Sequence, residues 1–102
     1  MKKWVIPSVV RVAGLDFEVL LDPIKCADNK VCGMTSNKTQ QIWLDPTMKV
    51  DMIRVTFLHE VMHAICYQYG ITNLIDEKME EMVVNALSNG VFDIVRDGVV
   101  KF

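Results

Sequence analysis

The 102-residue chain has a formal net charge of −2, with 51% hydrophobic and 24% charged residues. These values are typical of a small globular protein, and we predict a single domain over residues 1–102. A charge so close to zero gives no electrostatic footprint for nucleic acid or for an anionic membrane, so neither is expected as a partner.

The amino-terminal segment imitates a signal peptide, because two lysines precede an apolar run. Pro7 and Arg11 interrupt that run and no small-residue cleavage site follows, so we expect no signal peptide here. The three cysteines, Cys26, Cys32 and Cys66, are an odd number without the spacing of a disulfide framework. They favour a reducing compartment, and we therefore predict a cytoplasmic protein.

The first half of the chain is predicted to form strands. Apolar and polar residues alternate loosely over residues 9–21, where Gly14 marks a turn or bulge, so the segment is a candidate hairpin that ends at Asp22-Pro23. Residues 24–38 have the composition of a loop, with a possible short strand around Val31.

Residues 39–44 form a further predicted strand, half polar and half apolar. If this strand lies at the edge of the sheet beside a cleft, an extended peptide could add to it through backbone hydrogen bonds. An edge with no function is an equally good interpretation.

The second half is predicted to form two helices. Asp45 and Pro46 fit the N-cap and first position of a helix that runs to about Tyr69, where Gly70 supplies a left-handed stop. Its apolar residues almost encircle it, which predicts a buried central helix.

The second helix is predicted to begin after Asp76 as N-cap and to end near Asp97-Gly98. Gly90 weakens it by about 1 kcal/mol relative to alanine, which suggests close packing against another helix. The predicted class is therefore α+β, with a small antiparallel sheet followed by two packed helices.

The first helix carries the sequence His59-Glu60-Val61-Met62-His63, an HExxH motif that contains both histidines of the chain. Residues four apart lie one turn apart on the same helix face, so both imidazoles can bind one Zn²⁺. Glu60 then directs a carboxylate toward the open coordination position, where zinc-assisted hydrolysis needs a general base.

A catalytic zinc site needs a third protein ligand, and the acids of the second helix, Glu77, Glu80 and Glu81, are the candidates. Asn85 lies one turn beyond Glu81 and could hold that ligand by a hydrogen bond, which favours Glu81. Glu80 remains the rival, because it lies in an apolar stripe where an unpaired carboxylate is costly. We accordingly expect Glu81→Ala to weaken zinc binding, and Glu77→Ala and Glu80→Ala to leave it near wild type.

Two aromatic residues follow the motif closely. Tyr67 and Tyr69 could stabilise an oxyanion through a hydroxyl, although buried aromatic packing is the better interpretation.

The HExxH motif and the later run Glu81–Ser88 together resemble the gluzincin arrangement. They are similar to small phage- and prophage-type metallopeptidases related to the ImmA/IrrE family, which pair HExxH with a helix of the form Glu-x-x-Ala-Asn-x-Phe-Ala. The likeness covers residues 45–97. Here Val84 and Leu87 stand where the family has alanine and phenylalanine, and the Leu-Met-Pro stretch that follows the family's second helix is absent.

This resemblance implies a minimal zincin-like core of two helices, with zinc on His59, His63 and Glu81, Glu60 as general base, and a peptide or protein as substrate. Two alternatives remain open: a zinc-stabilised binding or regulatory module, and a pseudoenzyme that keeps the fold without turnover.

Overall fold

The fold is α+β, as predicted, with a sheet from the first half of the chain and two long helices from the second. The computed structural model describes residues 5–96. The strands are β1 (Val9–Val12), β2 (Leu15–Leu21), β3 (Gly33–Ser36) and β4 (Gln41–Leu44). The α-helices are α1 (Pro23–Asp28), α2 (Val50–Gln68) and α3 (Glu77–Arg96), and a short 3-10 helix, Ile71–Asn73, connects the last two.

The four-stranded sheet is mixed, which corrects the prediction of an antiparallel sheet. The strand order is β1-β2-β4-β3, and β2 and β4 are parallel, with Glu18 aligned with Gln41 and Leu21 with Leu44. Parallel neighbours need a crossover connection, and the segment that forms α1 and β3 supplies it. Because β4 is an interior strand, residues 39–44 do not meet the condition for adding a peptide strand, and β3 lies at that edge instead.

The segment 24–38, predicted as loop, contains α1 and β3. The Asp22 side chain accepts a hydrogen bond from the Lys25 backbone N–H at 2.9 Å, and Pro23 occupies the first turn. This is the usual start of a helix. The strand suspected around Val31 begins two residues later, at Gly33.

Helix α2 begins at Val50, four residues after the predicted start. The Asp45 carboxylate accepts hydrogen bonds from the Thr47 backbone N–H at 2.9 Å and from the Thr47 hydroxyl at 2.6 Å, which closes a turn instead of starting a helix. The predicted stop is confirmed, since α2 ends at Gln68 and Gly70 has a φ of 78°.

The core lies between the sheet and α2. Phe17, Ile42 and Leu44 are completely buried and belong to one apolar cluster with Phe57 of α2 and Phe92 of α3. Burial of this face fixes the rotation of α2 about its axis and so decides which of its side chains face α3 and β3.

Helix α3 begins as predicted, because the Asp76 carboxylate accepts a hydrogen bond from the Met79 backbone N–H at 2.7 Å. The predicted end near residues 97–98 lies outside the described residues. The expectation that Gly90 packs closely is wrong for the described part of the chain, since a Cβ built there would meet no atom within 4 Å. Within residues 5–96, no helix combines the length and hydropathy needed to cross a membrane.

Candidate metal centre

The two histidines of α2 face each other on one side of the helix. Their ring centroids are 4.7 Å apart, and the two Nε2 atoms are separated by 3.1 Å. Both side chains are about four-fifths buried, with 20% and 21% of His59 and His63 exposed. This is the placement that the four-residue spacing predicts.

A carboxylate from α3 completes the group. One oxygen of Glu81 lies 2.8 Å from His59 Nε2, and the other lies 3.0 Å from His63 Nε2. The donor atoms of these three residues all lie within 4.8 Å of one another, close enough to bind one metal ion. Tetrahedral ligands bound about 2.1 Å from zinc are about 3.4 Å apart, so the spacing fits with a small expansion.

Glu80 contacts the other ring nitrogen of His63, the one that does not face Glu81. Its Oε2 lies 2.6 Å from His63 Nδ1, and its Oε1 accepts a hydrogen bond from the Thr72 hydroxyl at 2.6 Å. A carboxylate at Nδ1 places the imidazole proton there, which leaves the Nε2 lone pair available on the side of Glu81. The Glu80 carboxylate, for which the sequence required a partner, is thus paired, and it contacts a candidate ligand without belonging to the candidate set itself.

The charge of Glu80 is stabilised where it lies. Burial raises the pKa of its carboxyl group, but the hydrogen bonds from Thr72 and His63 more than offset burial, and the net pKa is lowered. Sequence reasoning missed Thr72, because a single hydroxyl in a connecting segment carries no local signal. The support expected from Asn85 is not seen, since no hydrogen bond joins its side chain to Glu81 within the described residues.

Glu60 lies beside the three candidate ligands but is held by a different partner. Glu60 is only 8% exposed, and its Oε1 accepts a hydrogen bond from the Thr35 hydroxyl of β3 at 2.8 Å. Burial raises the pKa of Glu60, while the Thr35 hydrogen bond and the nearby histidines act in the opposite direction. A carboxylate with a raised pKa accepts a proton more readily at neutral pH.

Gly33 allows β3 to approach α2 this closely. A Cβ at this position would lie 2.7 Å from Thr56 Cγ2 and 3.3 Å from Glu60 Cγ. Any larger residue would therefore push the strand away from the helix and move the Thr35 hydroxyl away from Glu60.

An open cleft of about 410 Å³ leads to this group and includes His59 and Glu60 in its lining. The rest of the lining includes both apolar and polar side chains. The apolar residues are Val31, Met52 and Val55, and the polar ones are Asn85, Ser88 and Asn89. The two tyrosines are absent from the lining, and 55% of Tyr67 and 67% of Tyr69 is exposed. Buried aromatic packing was therefore the wrong expectation for both.

Comparisons of the chain with protein-family models, with curated proteins and with solved structures found no match. The chemical interpretation of the site therefore depends on its residues and their geometry.

Proposed function

We propose that this protein is a zinc-dependent peptidase of the gluzincin type. The observation that carries the proposal is the convergence of two imidazoles and a carboxylate on one point, with a buried carboxylate beside them that no ligand role requires. An open cleft reaches the group, which favours a catalytic site over a closed structural one.

The donor set fits zinc. Two neutral imidazoles and one carboxylate form the three-ligand set of catalytic zinc sites, which leave one position open. His59, His63 and Glu81 would hold the ion, and the Glu80 carboxylate would keep the His63 ring oriented. When bound, zinc supplies a Lewis acid and a water molecule whose pKa is about 7.

Glu60 would carry the proton transfers. The Thr35 hydroxyl occupies its Oε1, so Oε2 is the oxygen left to take a proton from the attacking water and return it to the leaving amine. Burial favours the protonated form between the two transfers. Thr35 thereby fixes the direction in which the carboxylate points.

The position of β3 supports a polypeptide substrate. The Asp45 backbone N–H donates a hydrogen bond to the Cys32 carbonyl at 3.0 Å. In an antiparallel pair, successive residues of a strand direct their backbone N–H and C=O groups alternately toward and away from the partner strand, so those of Gly33 and Thr35 point away from β4. Within residues 5–96 no further strand pairs with these groups, and they lie on the strand that contacts Glu60. An extended peptide that pairs with them would run along the cleft.

The test is hydrolysis of an unstructured polypeptide by purified zinc-loaded protein, with and without a chelator. We expect cleavage that stops on chelation, returns with zinc, and falls about a hundredfold or more in Glu60→Gln. Glu77→Gln, an exposed glutamate of α3, is the matched control and should retain full activity.

Zinc binding without any cleavage would overturn the peptidase proposal in favour of a zinc-stabilised module or a pseudoenzyme. Full activity in Glu60→Gln would remove Glu60 from the mechanism.

A further inference from the structure

Helix α3 has a second apolar face that no described part of the chain covers. The stripe of residues 80, 84, 88, 92 and 95 is buried against the rest of the fold, but the helix surface beside it is also apolar. We call this second surface the outer α3 face, and it consists of Met79, Met82, Val83, Ala86, Leu87, Gly90 and Ile94. Its five large side chains, those other than Ala86 and Gly90, are between 39% and 65% exposed.

The spacing of these residues follows a helix repeat, so they form one continuous surface and not scattered exposed positions. Ala86 and Gly90 lie one turn apart within it, and nothing stands within 4 Å of a Cβ at Gly90. Such a pair of small residues permits the backbone of a second helix to approach. A contiguous exposed apolar surface larger than about a few hundred Å² usually marks an interaction site.

Three exposed charges border the outer α3 face on the same side, Lys78 near its start and Asp93 and Arg96 near its end. The Arg96 guanidinium lies over the ring of Phe92, 5.9 Å from its centroid, and so leans toward the buried stripe and away from this face. Lys78 and Asp93 form no ion pair with any residue from 5 to 96. They are fifteen residues apart along one helix, about 22 Å, so they cannot pair with each other.

We propose that the outer α3 face binds a second copy of this chain, with the two α3 helices antiparallel about a twofold axis near Ala86. A twofold axis between antiparallel helices brings the same flank of both copies together, so Lys78 of each copy meets Asp93 of the other. The charge pattern is thus self-complementary, which identifies the partner as another copy.

The sizes of the residues match in the same arrangement. Met79 lies level with Ile94 of the second copy, and Val83 lies level with the open space at Gly90. Each copy contributes roughly a few hundred Å² of apolar surface, so the pair would bury on the order of 1,000 Å² in total. This is the lower end of specific interfaces, and it predicts a reversible dimer with a Kd in the micromolar range.

Sedimentation equilibrium of the protein, over concentrations from about 1 µM to 1 mM, tests the proposal. The wild-type chain is expected to dimerise. Lys78→Glu and Asp93→Lys should each weaken the dimer about tenfold or more, because twofold symmetry places a like-charge pair at both ends of the interface. An equimolar mixture of these two variants should dimerise again, since each then presents the charge that the other needs.

The matched controls are Lys38→Glu and Asp28→Lys, exposed charge reversals away from α3, which should dimerise as wild type does. Met82→Glu should abolish the dimer while thermal unfolding of the monomer stays unchanged. A wild-type chain that stays monomeric at 1 mM would overturn the proposal, and so would charge variants that dimerise normally or a mixture that stays monomeric. None of these outcomes depends on metal or on peptidase activity.

Discussion

Removal of the Glu80 carboxylate should weaken zinc binding, although Glu80 is not one of the three candidate ligands. Its Oε2 lies 2.6 Å from His63 Nδ1, so it orients the imidazole ring through a charged hydrogen bond. Its Oε1 accepts a hydrogen bond from the Thr72 hydroxyl at 2.6 Å, which fixes the position of the carboxylate. Partners of this kind contribute about 10- to 100-fold to metal affinity, which is about 1.4 to 2.8 kcal/mol. This revises the sequence-based expectation that Glu80→Ala is neutral.

Two substitutions separate the charge from the geometry. Glu80→Gln keeps an oxygen for His63 Nδ1 but loses the charge, so its loss should be near tenfold, whereas Glu80→Ala frees the ring and should approach a hundredfold. Zinc affinity is measured by competition with a chromophoric chelator at fixed pH, with circular dichroism as a check on folding. Glu77→Ala is the control on the same helix. Wild-type affinity in a folded Glu80→Ala would refute the role assigned to Glu80.

Three further predictions concern the third candidate ligand, the buried Glu60 carboxylate and the close approach at Gly33. Glu81→Ala should reduce zinc affinity at least about a hundredfold in the chelator competition, because a ligand is lost; an unchanged affinity would remove Glu81 from the site. Burial raises the pKa of Glu60, so its ionisation destabilises the folded metal-free protein as pH rises above the ordinary glutamate pKa of about 4.3. In urea unfolding Glu60→Gln should therefore be more stable than wild type at neutral pH and equal to it below that pKa, and equal stability at neutral pH would contradict the assigned burial. Gly33→Ala should lower the free energy of unfolding by about 1 to 3 kcal/mol through its clash with Thr56, whereas Gly90→Ala should raise it by up to about 1 kcal/mol; a neutral Gly33→Ala would contradict the close contact between β3 and α2.

The histidine pair was predictable because its geometry is local. A four-residue spacing on a helix determines that His59 and His63 share a face, whatever the rest of the fold does. The identity of the third candidate ligand depends on tertiary packing, because Glu80 and Glu81 point about a hundred degrees apart on the helix. Only the packing of α3 against α2 decides between them. The sequence favoured Glu81 through Asn85, and the structure brings Glu81 to both histidines without help from Asn85.

The same dipeptide has different roles at two places. Asp22-Pro23 was assigned to the end of a strand, which is confirmed because β2 ends at Leu21, but its second role as the start of α1 was missed. Asp45-Pro46 was assigned to the start of a helix and forms a turn instead. Asp22 caps the N–H three residues on, and Asp45 binds the N–H two residues on. Both uses of an aspartate are locally favourable, so the choice depends on where the following chain packs.

The edge position of β3 was not predicted because its sequence has almost no strand signal. Its sequence Gly-Met-Thr-Ser lacks alternating apolar residues, and its position depends on the approach that Gly33 permits to α2. Thr35 and Thr72 escaped notice for a related reason. Each acts through one hydroxyl on a glutamate distant in sequence, 25 and 8 residues away, which no helical or strand repeat encodes.

The most direct test of the proposed zinc site is a crystal structure of zinc-loaded protein, with anomalous difference maps calculated from data collected on both sides of the zinc absorption edge. We expect one strong peak, present only above the edge, within bonding distance of His59 Nε2, His63 Nε2 and a Glu81 oxygen, with Glu60 beside it and unbound. A peak held by other residues, or no peak between the two histidines, would contradict the proposed zinc site.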